Sequence, residues 1–235
     1  AINNGWTEFS FLCEYNYDEC QEDLTELVTP DENEKEGVLN YINNFVHPYN
    51  SFDRLSLSMN SYGKVSIRIT PIYTAEQIRI IDAWVDDVLA TKINSNMTLR
   101  NKLKTIHDHI INNTRYDRVR ADAIKVGAKI DDNYSHSAFG IIRDGKAVCG
   151  GYTDLMAIFL ERLGVPNYKV STEDHVWNLV FFDNQWLHID LTWNDPVMPD
   201  GRDVIQHKFF LITTAQLHKE DDTQHNFNPI YFKEA

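Results

Sequence analysis

Cys149, His175 and Asp190 are far apart in the chain, yet they have the types that cysteine-based acyl transfer needs. That chemistry takes a nucleophile, a base and a third group that orients the base. Cys149 lies in GKAVCGGYTDLMAIFLERLG, residues 145–164, between a Gly-rich turn and a strongly apolar helix. Leu155, Ile158, Phe159 and Leu163 fall at i, i+3, i+4 and i+8, which gives the helix one continuous apolar face. Met156, Ala157 and Leu160 fill much of the rest, so the helix is expected to be central. Gly164 and Pro166 supply its stop signal. A thiol at a helix N-terminus meets unpaired backbone N–H groups and the positive end of the helix dipole, and both favour the reactive thiolate. The competing assignment is a buried structural cysteine. The glycines after Cys149 and the partners downstream favour the nucleophile.

Those partners come from a predicted hairpin. His175–Phe182 and Trp186–Leu191 read as strands joined by the turn pair Asp183-Asn184. With a two-residue loop, Phe182 pairs with Gln185 and Trp177 lies opposite Asp190. His175 then sits diagonally from Asp190 on the same face, about 7–8 Å away at the backbone, within reach of both side chains. A slip of one residue would separate them. His188 is the rival base; it shares a face with Asp190 but reads as a sheet histidine that orders its neighbours. Trp177 and Trp193 place indoles beside the site, and packing is the simpler role for either. Cys149, His175, His188 and Asp190 are all zinc-competent, but their spacing fits no zinc signature, so no metal and no cofactor are expected.

The elements that must hold this set follow from periodicity. Phe9, Phe11, Cys13, Tyr15 and Tyr17 alternate as in a strand. Asp18–Glu36 is densely acidic and reads as an exposed, largely helical surface with a turn at Thr29-Pro30. Val38, Ile42, Phe45 and Val46 indicate a helix from about Lys35 to before Pro48. Leu55, Leu57 and Met59, then Val65, Ile67 and Ile69, predict a β-hairpin around Asn60–Gly63. Thr74 is placed to cap a helix carrying Ile78, Ile81, Val85, Val88 and Leu89. The polar stretch 91–96 is the expected boundary between an N-terminal subdomain, 1–94, and a core, 95–235. Thr98 opens a helix with Leu99, Leu103, Ile106 and Ile110 on one stripe. His107 and His109 within it are two apart and face different ways. Residues 115–133 read as irregular with some helix. Strands are expected at Tyr168–Ser171 and Lys208–Ile212, with Thr213 or Thr214 capping a short helical turn. The fold class is α+β.

Composition sets the outer bounds. The 235 residues carry a formal net charge of -13, which argues against a nucleic-acid backbone as partner. No apolar run is long enough to span a membrane. The chain opens at Ala1 with no recognisable signal peptide and reads as a mature or trimmed form. Of the three cysteines, Cys13 and Cys20 are close enough to bridge in an oxidising compartment, leaving Cys149 free; two unpaired thiols are the alternative.

Taken together, DGKAVCGGYTD, HVWNLV and WLHIDLTWNDP resemble the transglutaminase-like superfamily in its bacterial branch. The likeness covers Thr98 to about Pro196 well and Phe209–His225 loosely. VHPYNS and YTAEQI also resemble N-terminal regions of secreted Gram-positive members. The resemblance implies a papain-like core, a Cys-bearing helix packed on an antiparallel sheet that bears His and Asp. It implies Cys149 as nucleophile, His175 as base and Asp190 as orienting acid, with Trp177, Gly150, Phe139 and Trp193 on the substrate side. It also implies an extracellular or cell-surface location. Relatives often carry Tyr where this chain has Phe139, which cannot donate a hydrogen bond. The backbone N–H of Cys149 is one expected oxyanion donor; the second is left open.

The expected reaction is acyl transfer through a thioester, with hydrolysis of a protein or cell-wall peptide preferred because water is always at hand. A cross-linking transglutaminase is the first alternative. A binding module that keeps the fold without turnover is the second.

Overall fold

A computed structural model describes residues 1–13, 17–28, 41–128, 133–198 and 204–235. Tyr15, the Thr29-Pro30 turn and the start of the helix expected from Lys35 lie outside them. The contacts form two compact units, Ala1–Ala75 and Glu76–Ala235. The sequence placed a boundary within 91–96, whereas the units divide at the start of a helix, α3 (Ala75–Lys92). The physical reason lies on the far side of that helix. Trp84 stacks on His109 and meets Phe159 edge-on, and Arg162 reaches Asp82 and Asp86 at 2.5 and 2.9 Å.

In the first unit, β1 (Glu8–Leu12), β2 (Phe52–Met59) and β3 (Lys64–Pro71) form an antiparallel sheet in the order β1-β3-β2. The β2–β3 hairpin is the predicted one, and Asn60 Oδ1 closes its loop by accepting from the N–H groups of Tyr62 and Lys64. Among the described residues, two α-helices accompany the sheet, α1 (Tyr17–Val28) and the single turn α2 (Ile42–Phe45). Cys13 and Cys20 form a disulfide, and Cys149 is free.

The second unit opens with α3 and α4 (Leu99–Asn112), which Thr98 caps by accepting from Asn101 N–H. The α4 face carrying Leu103, Ile106, Ile110 and Ile111 is buried; of the predicted stripe, Leu99 in the first turn is exposed. Next come β4 (Arg115–Tyr116), α5 (Arg118–Lys125), α6 (Ala138–Asp144) and β5 (Lys146–Ala147), with β4 and β5 paired in parallel. The sequence read 115–133 as irregular with some helix, and α5 is that helix; α6 and the β4–β5 pair are additions. The predicted central helix is α7 (Cys149–Arg162), buried at every residue from Gly151 to Leu160.

An antiparallel sheet follows: β6 (Asn167–Ser171), β7 (Val176–Phe182), β8 (Gln185–Ile189) and β9 (Phe210–Ile212), in that order. Between β8 and β9 lies the single turn α8 (Leu191–Asn194), and after β9 comes α9 (Thr214–Glu220), which opens with a capping box on Thr213 and Gln216. The β7–β8 turn has the predicted two-residue loop. Phe182 faces Gln185, and Asp183 and Asn184 adopt φ of 53° and 59°, the left-handed pair that matches strand twist in a hairpin. The architecture is α+β, with the Cys-bearing helix packed on the sheet that carries His and Asp.

Candidate active site

Cys149 begins α7, and the backbone of residues 134–137 lies directly behind that first turn. Val148 N–H donates to Ser135 C=O at 2.8 Å. A Cβ on Gly150 would lie 2.7 Å from His136 C=O, and one on Gly151 would lie 2.7 Å from Ser135 C=O and 2.9 Å from Ala147 Cβ. Two glycines after the cysteine are therefore a steric requirement of this close approach.

Three polar ties fasten α7 to the sheet. Thr153 Oγ1 donates to Val176 C=O at 2.9 Å, Asn178 Nδ2 to Thr153 C=O at 3.0 Å, and the buried Lys169 Nζ to Asp154 at 2.9 Å. Val176 follows His175, so the first of these sets the distance between sulfur and imidazole.

His175 precedes β7 and is buried; its Nε2 meets Asp190 Oδ2 at 2.6 Å. The diagonal pairing expected from the hairpin register therefore exists. The Cys149 side chain lies near enough to the ring to act on its pKa. With Nε2 committed to Asp190, Nδ1 is the nitrogen left for the sulfur. Burial alone would lower the His175 pKa, but the Asp190 charge and hydrogen bond, aided by Cys149, outweigh it and raise it to about 10. Burial pushes Asp190 the other way and is likewise outweighed; His175 first, then His225, hold its carboxyl well below the usual range.

Asp190 is itself fixed from several sides. It caps α8 by accepting Trp193 N–H at Oδ1, and its own N–H donates to Phe209 C=O. The segment before β9 is held in turn by Asn194, whose Oδ1 accepts Phe209 N–H and whose amide meets Nε2 of the buried His107 on α4. His109 instead faces Trp84, so the two α4 histidines diverge as their spacing requires.

Sequence reasoning missed His225. Its Nε2 meets Asp190 Oδ2 at 2.9 Å, on the same oxygen that holds His175, and its Nδ1 meets Asp221 Oδ2 at 2.8 Å. Residues beyond Thr214 read as a polar tail, and no spacing rule links position 225 to 175 or 190. His188 points elsewhere: its Nδ1 accepts from Trp177 Nε1 and its Nε2 meets Thr214 Oγ1. Burial, then the neighbouring His225 and His218, lower its pKa to about 3, so it is neutral. Both its nitrogens are engaged, and the quartet weighed as a zinc site does not assemble.

A cavity of about 810 Å³ opens beside Cys149 and His175, with Tyr116, Thr172, Trp193 and Gln224 on its walls. Of the four residues placed on the substrate side, Trp193 lines this cavity and the others do not. Trp177 is fully buried and stacks on His175 from within, with ring centroids 5.5 Å apart, so it supports the ring instead of meeting solvent. Phe139 packs edge-on against Tyr134, and Gly150 lies against residue 136.

No curated protein matches the chain. Among solved structures, a TGase is 20% identical with a TM-score of 0.42, covering 79% of this chain and 50% of its own. A candidate cysteine protease from Cytophaga hutchinsonii is 14% identical, TM-score 0.35, covering 65% of each chain. A menin structure described with its binding site for the Mixed Lineage Leukemia protein is 16% identical, TM-score 0.37, covering 59% of this chain and 30% of its own. The chain thus spans half the length of the TGase. Residues 87–191, which include Cys149, His175 and Asp190, match the sequence model of the transglutaminase-like superfamily.

Proposed function

We propose that this protein is a cysteine-dependent acyl-transfer enzyme acting on amide bonds, with Cys149 as nucleophile, His175 as acid and base, and Asp190 as the group that orients the ring. The observation that carries this reading is that Cys149 and His175 share one cavity while the ring is hydrogen-bonded to a buried carboxylate. A His175 that stays protonated through neutral pH is the natural counterion of a thiolate.

The reaction runs in two halves. The Cys149 thiolate attacks the amide carbonyl, and the tetrahedral oxyanion is met by the Cys149 backbone N–H. The C–N bond breaks as His175 gives its proton to the leaving amine, which leaves a thioester and a neutral imidazole. That imidazole takes a proton from water, which attacks the thioester. The carboxylic acid departs, and the thiolate–imidazolium pair is restored.

Tyr116 supplies a hydroxyl that the Phe139 position lacks. It lines the cavity, and burial, then the charge of Cys149, raise its pKa and keep it a donor. It is our candidate for the second oxyanion donor.

Hydrolysis is the preferred outcome, because polar side chains such as Thr172, Gln224 and Asn226 line the cavity and admit water. The substrate class is a protein or cell-wall peptide. Transamidation is the second reading, favoured by Glu173 and Asp174 on the cavity wall, which would attract an ammonium acceptor. The Cys13–Cys20 disulfide fits an oxidising, extracellular or cell-surface setting.

The test is mass spectrometry of the intact protein after incubation with a peptide library, with and without a primary amine. A trapped acyl adduct on Cys149, absent in Cys149→Ala, is expected. Release as free acid marks hydrolysis and amine incorporation marks transamidation. Lack of any adduct, together with Cys149 alkylation no faster than that of a thiol in the unfolded chain, would leave a binding module.

A further inference from the structure

The segment after α9 folds back onto the site. Asp221 organises it: one carboxylate oxygen accepts the N–H groups of Gln224 and His225, and the other accepts Thr223 Oγ1. Thr223, Gln224 and Asn226 line the cavity, whereas His225 turns inward and is fully buried. A second tie fastens the segment to the turn that carries His175, because Thr172 Oγ1 donates to Gln224 C=O at 3.0 Å while Thr172 N–H donates to His175 C=O at 2.9 Å.

Both ring nitrogens of His225 face carboxylates, Nε2 meeting Asp190 at 2.9 Å and Nδ1 meeting Asp221 at 2.8 Å. Trp177 and Trp193 meet the ring in edge-on geometry and Phe209 stacks on it, so aromatic side chains enclose it. The other titratable groups that face it are His175, 5.3 Å away between ring centroids, and His188, whose charge state it influences.

We infer that His225, anchored by Asp221, is a positioning residue that holds Asp190 Oδ2 in line with His175 and fastens the 221–227 wall of the cavity to the reacting groups. Two imidazoles on one carboxylate oxygen leave that oxygen little freedom to rotate away from His175. The inference rests on the proposed roles of Cys149, His175 and Asp190.

The test uses the rate of Cys149 alkylation by iodoacetamide across pH, which needs no known substrate, on the full chain with His225→Phe, His225→Gln and Asp221→Asn. Partners that orient a reacting group are worth about ten- to a hundredfold in related settings, so His225→Phe should slow alkylation near neutral pH by about tenfold. A loosened Asp190 stabilises the His175 imidazolium less and so makes thiolate formation harder, and the acid limb should move up by about half a pH unit in His225→Phe and in Asp221→Asn. His225→Gln keeps a donor toward Asp190 and should recover most of the rate. A purely structural role would lower the melting temperature and leave the pH profile in place. Folded His225→Phe and Asp221→Asn proteins with wild-type rate and profile would overturn the inference, and should His225→Phe not fold, the other two variants decide. If Cys149 in the wild type is no more reactive than a thiol in the unfolded chain, the proposed roles themselves fail and the inference falls with them.

Discussion

Thr153 Oγ1 donates to the carbonyl of Val176 at 2.9 Å, and this bond links the helix that begins with Cys149 to the strand that starts beside His175. Thr153 lies one helical turn after Cys149, and Val176 follows His175. Thr153→Val keeps the shape and removes the donor. Losing one such bond costs about 1 kcal/mol and lowers Tm by about 2–4 °C in a chain of this size. Alkylation at Cys149 should fall by several-fold in addition, because the sulfur-to-ring distance is no longer set. Thermal melts and alkylation rates on the same protein check both halves.

Gly151→Ala should destabilise the protein by about 1–3 kcal/mol, as overpacking does in a close-packed interior. The new methyl would meet Ser135 C=O at 2.7 Å and Ala147 Cβ at 2.9 Å, atoms with no flexible end to move aside. Gly150→Ala meets backbone oxygen at 2.7 Å on one side only and should cost less. Urea titrations of the two variants should rank them in that order, and the reverse order would show that loop 134–137 yields.

These two sites show what could be read from the chain and what could not. The Cys149 helix was legible because its apolar residues repeat with helical period and its stop signal is strong. The His175–Asp190 pairing was legible because a two-residue loop fixes the register of a hairpin, and register fixes faces. Asp183 and Asn184 have the left-handed backbone that this needed. Trp177 was placed on the right strand but on the wrong side of the imidazole, since alternation tells a face and not which face solvent reaches. Short helices such as α6 carry too few turns to show a period. His225 was invisible because it arrives through a non-repeating segment whose only order comes from hydrogen bonds to Asp221.

The thiols give a direct count. With Cys13 and Cys20 bridged and Cys149 free, denatured protein should show one thiol reactive with a chromogenic disulfide before reduction and three after. Cys149→Ala should show none before reduction and two after. Three thiols in unreduced wild type would contradict the disulfide and weaken the extracellular assignment.

The pH dependence follows from His175. Its pKa is raised in the folded state to about 10, against an ordinary value of 6.5, so the stability it contributes is fully present below pH 6.5 and is lost as pH rises through about 10. Asp190 is depressed, so its contribution is present above the ordinary carboxylate range and disappears only in strong acid. Between the two, stability should decline from neutral toward pH 10 in wild type and less in His175→Gln. Turnover should fall on the same alkaline limb, because the leaving amine then lacks its proton. Urea midpoints and kcat/KM measured over that range should bend together.

Tyr116 offers the sharpest separation of binding from chemistry. Its hydroxyl stands on the cavity wall with Cys149, and its pKa is raised by burial and by the sulfur's charge, so it remains a donor at working pH. If it meets the tetrahedral oxyanion, its hydrogen bond strengthens only as charge develops on that oxygen. Tyr116→Phe should then lower kcat by about a hundredfold, as loss of one oxyanion donor does elsewhere, with little change in KM. Cys149 alkylation should stay near the wild-type rate, since displacement at an alkyl halide builds no oxyanion. A variant that alkylates slowly would instead mark Tyr116 as part of the ground-state environment of the sulfur. Unchanged kcat would return the second donor to another group on the same wall.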